Sequence, residues 1–307
     1  MKFGVHCRLW TAGWSPADLD LLDRARAMGF SVFEVGLINL QAVDPVAIRR
    51  RAETVGIDLI ATIGLPKEMG LATADPSVRS HTLRFLKAAV AATRDMGARI
   101  FGGMMYAVPG RFSGLGPTED EHNWIVEELA ELAVFAQTHE VVLAIEPVNR
   151  FESYLLNTAA QAQALVDRIQ QPNVGLLLDT FHMNIEERGI PATLRRCAGS
   201  LRHLHLNESD RGMLGGANIH WPSVFAALKE IGYRGAASIE TFAAPNPNLP
   251  AITSIWRPLF PSPNELARAG LAFLTRMAAE HGQTSPGHNT DATGDKAAVE
   301  TPTTQCG

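Results

Sequence analysis

Short apolar runs alternate along the chain with longer stretches whose apolar residues recur at helical spacing. The runs are Lys2 to Leu9, Ser31 to Val35, Ile57 to Ile63, Ala98 to Met105, Val141 to Glu146, Val174 to Asp179, Leu201 to His205 and Ala236 to Glu240. Runs this short and this apolar read as strands of a parallel sheet buried on both faces. Between them, Ser15-Pro16, Asp44-Pro45 and Asp75-Pro76 each offer a capping side chain followed by proline at the first helical position. The first of these helices runs to Met28, and Gly29, Gly56 and Gly97 mark where the three end. Further helices are predicted over Glu119 to His139, from an Asn157 cap through Ile169, over Ile190 to Ala198, Pro222 to Ile231 and Pro263 to His281. The phrase of helix, glycine and apolar strand returns at Met28-Gly29-Phe30, Val55-Gly56-Ile57, Met96-Gly97-Ala98 and Ile231-Gly232-Tyr233, an internal repeat of about 30 to 40 residues. Eight such units closing on themselves make a (β/α)8 TIM barrel, which takes about 250 residues.

The barrel accounts for residues 1–281 of the 307, so one domain is predicted. Residues 282–307 turn to Gly, Pro, Thr, Ser, Asn and Asp and are expected to form a disordered C-terminal tail. A net charge of −5 gives no electrostatic footprint for nucleic acid or an anionic membrane. Three cysteines, Cys7, Cys197 and Cys306, are odd in number and far apart, which fits a reducing compartment without a disulfide framework. With no signal peptide and no apolar stretch of membrane-spanning length, the expected location is the cytoplasm.

The chemistry gathers at strand ends. Four consecutive predicted strands finish on Glu146, Asp179, His205 and Glu240, spaced 33, 26 and 35 residues apart, each interval long enough for a loop and a returning helix. In a barrel these ends meet, and three crowded carboxylates repel unless a cation neutralises them. Oxygen-rich ligands with one imidazole and no thiolate suit one divalent ion, Mn²⁺, Mg²⁺ or Co²⁺, better than structural zinc. The plainer alternative is that each acid caps the next helix or pairs with a lysine. In the loops beyond, Asn149, Arg150, Glu152, His182, Asn207, Glu208 and Arg211 are side chains that suit a polyol. Glu208 and Asp210 read equally well as solvated loop charges, His182 as a structural histidine, and Glu34 as a residue that braces a ligand or touches the sugar.

The blocks Glu146-Pro147-Val148-Asn149-Arg150-Phe151-Glu152, Leu178-Asp179-Thr180-Phe181-His182-Met183-Asn184-Ile185-Glu186-Glu187 and Ala227-Leu228-Lys229-Glu230-Ile231-Gly232-Tyr233 resemble the D-tagatose 3-epimerase and D-psicose (allulose) 3-epimerase family of xylose-isomerase-like barrels. The resemblance implies a metal, commonly manganese, on Glu146, Asp179, His205 and Glu240. It further implies substrate contacts from Glu152, His182 and Arg211, and a homo-oligomer, dimer or tetramer. It implies epimerisation at C3 of a free ketose of the D-tagatose, D-fructose or D-psicose type, with Glu146 and Glu240 removing and returning the proton. The chain departs from that family at Tyr106-Ala107-Val108-Pro109, where a Trp-Pro is usual, and at His6 and Cys7, while Trp14 and Trp256-Arg257 match. Competing readings in the same fold are an inosose dehydratase or hydroxypyruvate isomerase, a non-catalytic sugar-binding barrel, and a metal-dependent endonuclease of the endonuclease IV type. The last needs more histidines at strand ends and a basic face.

Overall fold

The computed structural model describes residues 1–242 and 255–283. Its parallel strands are β1 (Lys2–His6), β2 (Val32–Gly36), β3 (Asp58–Gly64), β4 (Ile100–Met104), β5 (Val142–Ile145), β6 (Val174–Asp179), β7 (Leu201–His205) and β8 (Ala236–Ile239). They pair in sequence order into a closed barrel. Closure comes from β1 against β8, with Lys2 opposite Ala236 and Val5 opposite Ile239. Every residue of β2 and β6 is buried, as unbroken apolar runs require. At Gly103 the chain approaches β3 so closely, with φ of 112°, that a Cβ would stand 2.3 Å from the Ile63 carbonyl oxygen. Only glycine fits there.

The outer layer comprises α1 (Asp20–Met28), α2 (Pro45–Val55), α3 (Pro76–Asp95), α4 (Glu119–Thr138), α5 (Ala159–Ile169), α6 (Thr180–Glu186), α7 (Ile190–Arg196), α8 (Trp221–Glu230) and α9 (Pro263–Glu280). Asp44 and Asp75 cap α2 and α3 as read from the sequence. Gly29 ends α1 with a φ of 102°.

The structure corrects four details. β1 stops at His6, whose ring accepts the Arg8 N–H at 3.0 Å and turns Cys7–Leu9 into a 3-10 helix. A 3-10 turn, Pro16–Leu19, precedes α1. Thr158 rather than Asn157 caps α5, because its hydroxyl accepts the Gln161 N–H while Gln161 reaches back. Asn157 instead ties Val148 O and Ser153 O together. The short α6 is absent from the sequence reading. The predicted tail, apart from Gly282 and Gln283, and residues 243–254 of the long loop after β8 lie outside the described residues.

Buried polar residues concentrate at the C-terminal ends of the strands: His6, Glu34, Thr62, Glu146, Asp179, His205 and Glu240. In this architecture that end is where loops build a site.

Candidate metal centre

β5 to β8 each deliver one side chain to a common point. Glu146, Asp179, His205 and Glu240 all offer a ligand atom within 4.8 Å of the others, and all four are buried. His205 Nδ1 stands at the centre, 3.6 Å from Glu146 Oε1 and 3.3 Å from Glu240 Oε2. Neither Glu146 Oε1 nor His205 Nδ1 has a hydrogen-bond partner. Two inward-facing polar atoms left unpaired in a dry space are costly, and a cation between them removes the cost. Three carboxylate oxygens and one imidazole nitrogen are a donor set that fits a divalent ion.

Each of the four residues is held by a further one. Glu34 meets His205 Nε2 at 3.0 Å and so turns Nδ1 toward the cluster. The other Glu34 oxygen meets His203, whose ring is anchored in turn on Ala236 O at 3.1 Å. Asn207 donates to both Asp179 oxygens at 2.9 Å and accepts the Glu240 N–H at 2.8 Å, so one amide spans two of the four. Asn207 is locked by Thr180, whose hydroxyl accepts its N–H at 2.8 Å and donates to its carbonyl at 2.6 Å. The Tyr106 hydroxyl donates to Glu146 O at 3.0 Å and fixes the end of β5. Asn207 thus belongs to the scaffold rather than to the sugar-facing surface expected from sequence. The apolar strand that precedes it carries no signal for this.

The electrostatics follow from crowding without water. Burial pushes the Asp179 carboxyl up to about 7 and raises Glu146 and Glu152 from their ordinary values. Burial also acts on Glu240, but the neighbouring His205 and Arg211 overcome it and hold this carboxyl well below its usual range. The His182 ring is kept neutral by burial and by Arg211.

The remaining sequence candidates divide. His182 Nδ1 accepts the Asn149 N–H at 3.1 Å, so the proton of the neutral ring sits on Nε2. That nitrogen lies 3.8 Å from both Glu146 Oε1 and Asp179 Oδ2, and 3.2 Å from Arg211 Nη2. Two donors, His182 Nε2 and Arg211 Nη2, therefore converge where an oxygen would satisfy both. Arg211 is buried, in the left-handed region with φ of 58°, 3.5 Å from Asp179 Oδ2 and stacked 4.3 Å from Phe181 and 4.6 Å from Phe242. A non-glycine residue in that conformation carries strain that the surroundings must hold. Glu152 accepts from the Asn149 amide at 3.0 Å and lines the same cavity. Arg150 turns outward to Glu186, 2.8 Å away, and Asp210 is an exposed turn residue that accepts the Gly212 N–H. Glu208 is fully buried rather than solvated: it accepts Ser209 N–H, Gly215 N–H, Ile219 N–H and the Trp221 indole N–H at 2.9 to 3.0 Å.

Known proteins share this barrel. Residues 22–277 match the family model described as xylose isomerase-like TIM barrel. The chain is similar to an L-ribulose 3-epimerase of Mesorhizobium japonicum, 36% identical over 276 residues that cover 89% of this chain and 93% of the relative. It is also similar to a D-psicose 3-epimerase of Enterocloster bolteae, 32% identical over 273 residues, 87% and 91% of the two chains. Among solved structures, D-psicose 3-epimerase from Clostridium cellulolyticum H10 with D-tagatose superposes with a TM-score of 0.83 at 28% identity, covering 89% of this chain and 98% of that one.

Proposed function

The chain belongs to the xylose isomerase-like TIM barrel family, and from that premise we propose that it is an isomerase that epimerises a ketose at C3 with the help of one divalent ion. The observation that carries the proposal is the meeting of four consecutive strand ends at one point, with Glu146 3.6 Å and Glu240 3.3 Å from His205 Nδ1. The curated relatives it matches over most of their length are 3-epimerases, which favours this over an inosose dehydratase or hydroxypyruvate isomerase.

Glu146, Asp179, His205 and Glu240 would hold the ion, with Mn²⁺ the preferred candidate. When bound, the ion supplies Lewis-acid polarisation of the ketose carbonyl, which acidifies the neighbouring C–H. The chain's own residues do the rest. Arg211 and His182 aim two donors at one oxygen of the reacting end and orient it, and Glu152, on the same wall, offers an acceptor to a sugar hydroxyl. One of the pair Glu146 and Glu240 takes the C3 proton, leaving an enediolate. The other returns a proton to the opposite face, and the configuration inverts. Which glutamate acts first depends on the epimer bound, since the reverse reaction exchanges their parts. Positioned proton transfer of this kind contributes about 10²–10⁴-fold.

The same reading places the barrel of residues 1–281 as a single functional unit in the cytoplasm, acting as a homo-oligomer on ketoses of the tagatose, fructose and psicose type. The unpaired thiols of Cys7 and Cys197 suit that compartment. The experiment is exchange in D₂O: Mn²⁺-loaded protein should incorporate deuterium at C3 of at least one ketose, followed by NMR. Glu146→Gln and Glu240→Gln should each lower the rate by about 10²-fold or more. A protein that exchanges no ketose but dehydrates an inosose would end this reading.

A further inference from the structure

The cavity that holds the cluster has a second polar element, at the ends of β1 and β3. His6 and Thr62 both line it and both are buried, with His6 Nε2 and Thr62 Oγ1 2.7 Å apart. The backbone decides which of the two donates. His6 Nδ1 accepts the Arg8 N–H at 3.0 Å, and burial pushes the ring down to about 4, so the single proton of the neutral imidazole sits on Nε2. His6 therefore donates and Thr62 Oγ1 accepts. The hydroxyl hydrogen of Thr62 is then left with no acceptor among the described residues. The sheet neighbours supply no side chain to receive it, because the residues paired with Thr62 are Gly36 on β2 and Gly102 on β4. A buried donor in this state is costly unless an oxygen enters the cavity to meet it.

A ketose whose carbonyl end lies at β5 to β8 places C4 and the carbons beyond it in the rest of the cavity. Ile63, Met104, Pro109 and Phe242 make much of that lining apolar, and Arg8 there faces the Glu152 charge. Thr62 thus offers a neutral donor in a mostly apolar surround, and a sugar hydroxyl oxygen is a neutral acceptor. Threonine is branched at Cβ and stiff at χ1, so its oxygen keeps one place and only the hydrogen turns. Building on the epimerase reading, we propose that Thr62 is a specificity residue, which donates a hydrogen bond to one hydroxyl of the free ketose beyond C3.

The test takes the best-exchanged ketose among D-fructose, D-tagatose, D-psicose and D-ribulose, together with its deoxy analogues at each carbon beyond C3. C3 exchange in D₂O is followed on the Mn²⁺-loaded protein, Thr62→Val and Thr62→Ser. With the unsubstituted protein, one deoxy analogue should lose about 5–50-fold in kcat/KM relative to the parent sugar, because the donor is again left unpaired. Thr62→Val should lower kcat/KM for the parent by a similar factor and cause no further loss with that analogue, at unchanged Mn²⁺ affinity. Thr62→Ser, which keeps the hydroxyl, should retain most of the parent activity. If no deoxy analogue loses more than about twofold, or if Thr62→Val slows the parent and every analogue alike, the Thr62 contact is overturned while the epimerase reading stands. Exchange with none of the four ketoses, nor with any other, overturns both.

Discussion

Asp179 has two structural duties at one carboxylate. One oxygen accepts the Phe181 N–H at 2.8 Å and starts α6, and both oxygens receive the Asn207 amide. The plain sequence alternative, an acid that caps the next helix, is therefore true of this residue at the same time as its place in the cluster. Asn207 is what keeps the two uses compatible, since it fixes the carboxylate while also holding the Glu240 backbone. Asn207→Ala should weaken divalent-metal binding by about 10–100-fold in a calorimetric titration, with the far-ultraviolet circular dichroism unchanged. An unchanged affinity would mean the amide is dispensable to the ligands. The four cluster residues are legible in the sequence because each sits at the end of an apolar run. The part played by Asn207 is not, because whether an amide two residues past His205 faces a sugar or a carboxylate is decided by its rotamer and its Thr180 neighbour.

At the scale of elements, the loop between β7 and α8 is organised by Glu208, a carboxylate with four N–H donors around it and no exposure. That loop delivers Arg211 in its left-handed conformation, so the staple supports a strained donor. Glu208→Ala orphans four buried or half-buried donors and should cost about 3 kcal/mol or more, read as a lowered urea midpoint at unchanged slope. Loss of less than about 0.5 kcal/mol would instead match a solvated surface charge. A charged residue amid Asn, Ser and Asp looks like surface, and its donors come from residues up to Trp221, which is why the sequence leaves the question open. The helix α6 is missed for a related reason: strand, cap and helix share Asp179, with neither Gly nor Pro to mark the boundary. Where Pro and Gly do punctuate the chain, as around α2, the bounds fall at the residues read from sequence.

At the scale of the whole molecule, the cluster draws together β5, β6, β7 and β8, so an ion held there ties half of the barrel at its catalytic end. Added Mn²⁺ at 100 times its dissociation constant should contribute about 2.7 kcal/mol and raise the melting temperature by about 5 °C, reversibly with a chelator. No shift with any divalent ion would argue against a resident metal. The barrel itself is legible throughout, because eight apolar runs at near-regular spacing leave little else for a parallel sheet to become. The rest of the cavity wall is not legible, since His6 and Thr62 come from β1 and β3 on either side of β2, and Phe242 joins them only through closure of β1 on β8. That separation has a practical corollary. His6, Arg8 and Thr62 are encoded within the first 64 codons, whereas the four cluster residues are encoded at positions 146, 179, 205 and 240. A mutant library confined to those first 64 codons can therefore remodel one side of the cavity and leave all four cluster residues untouched.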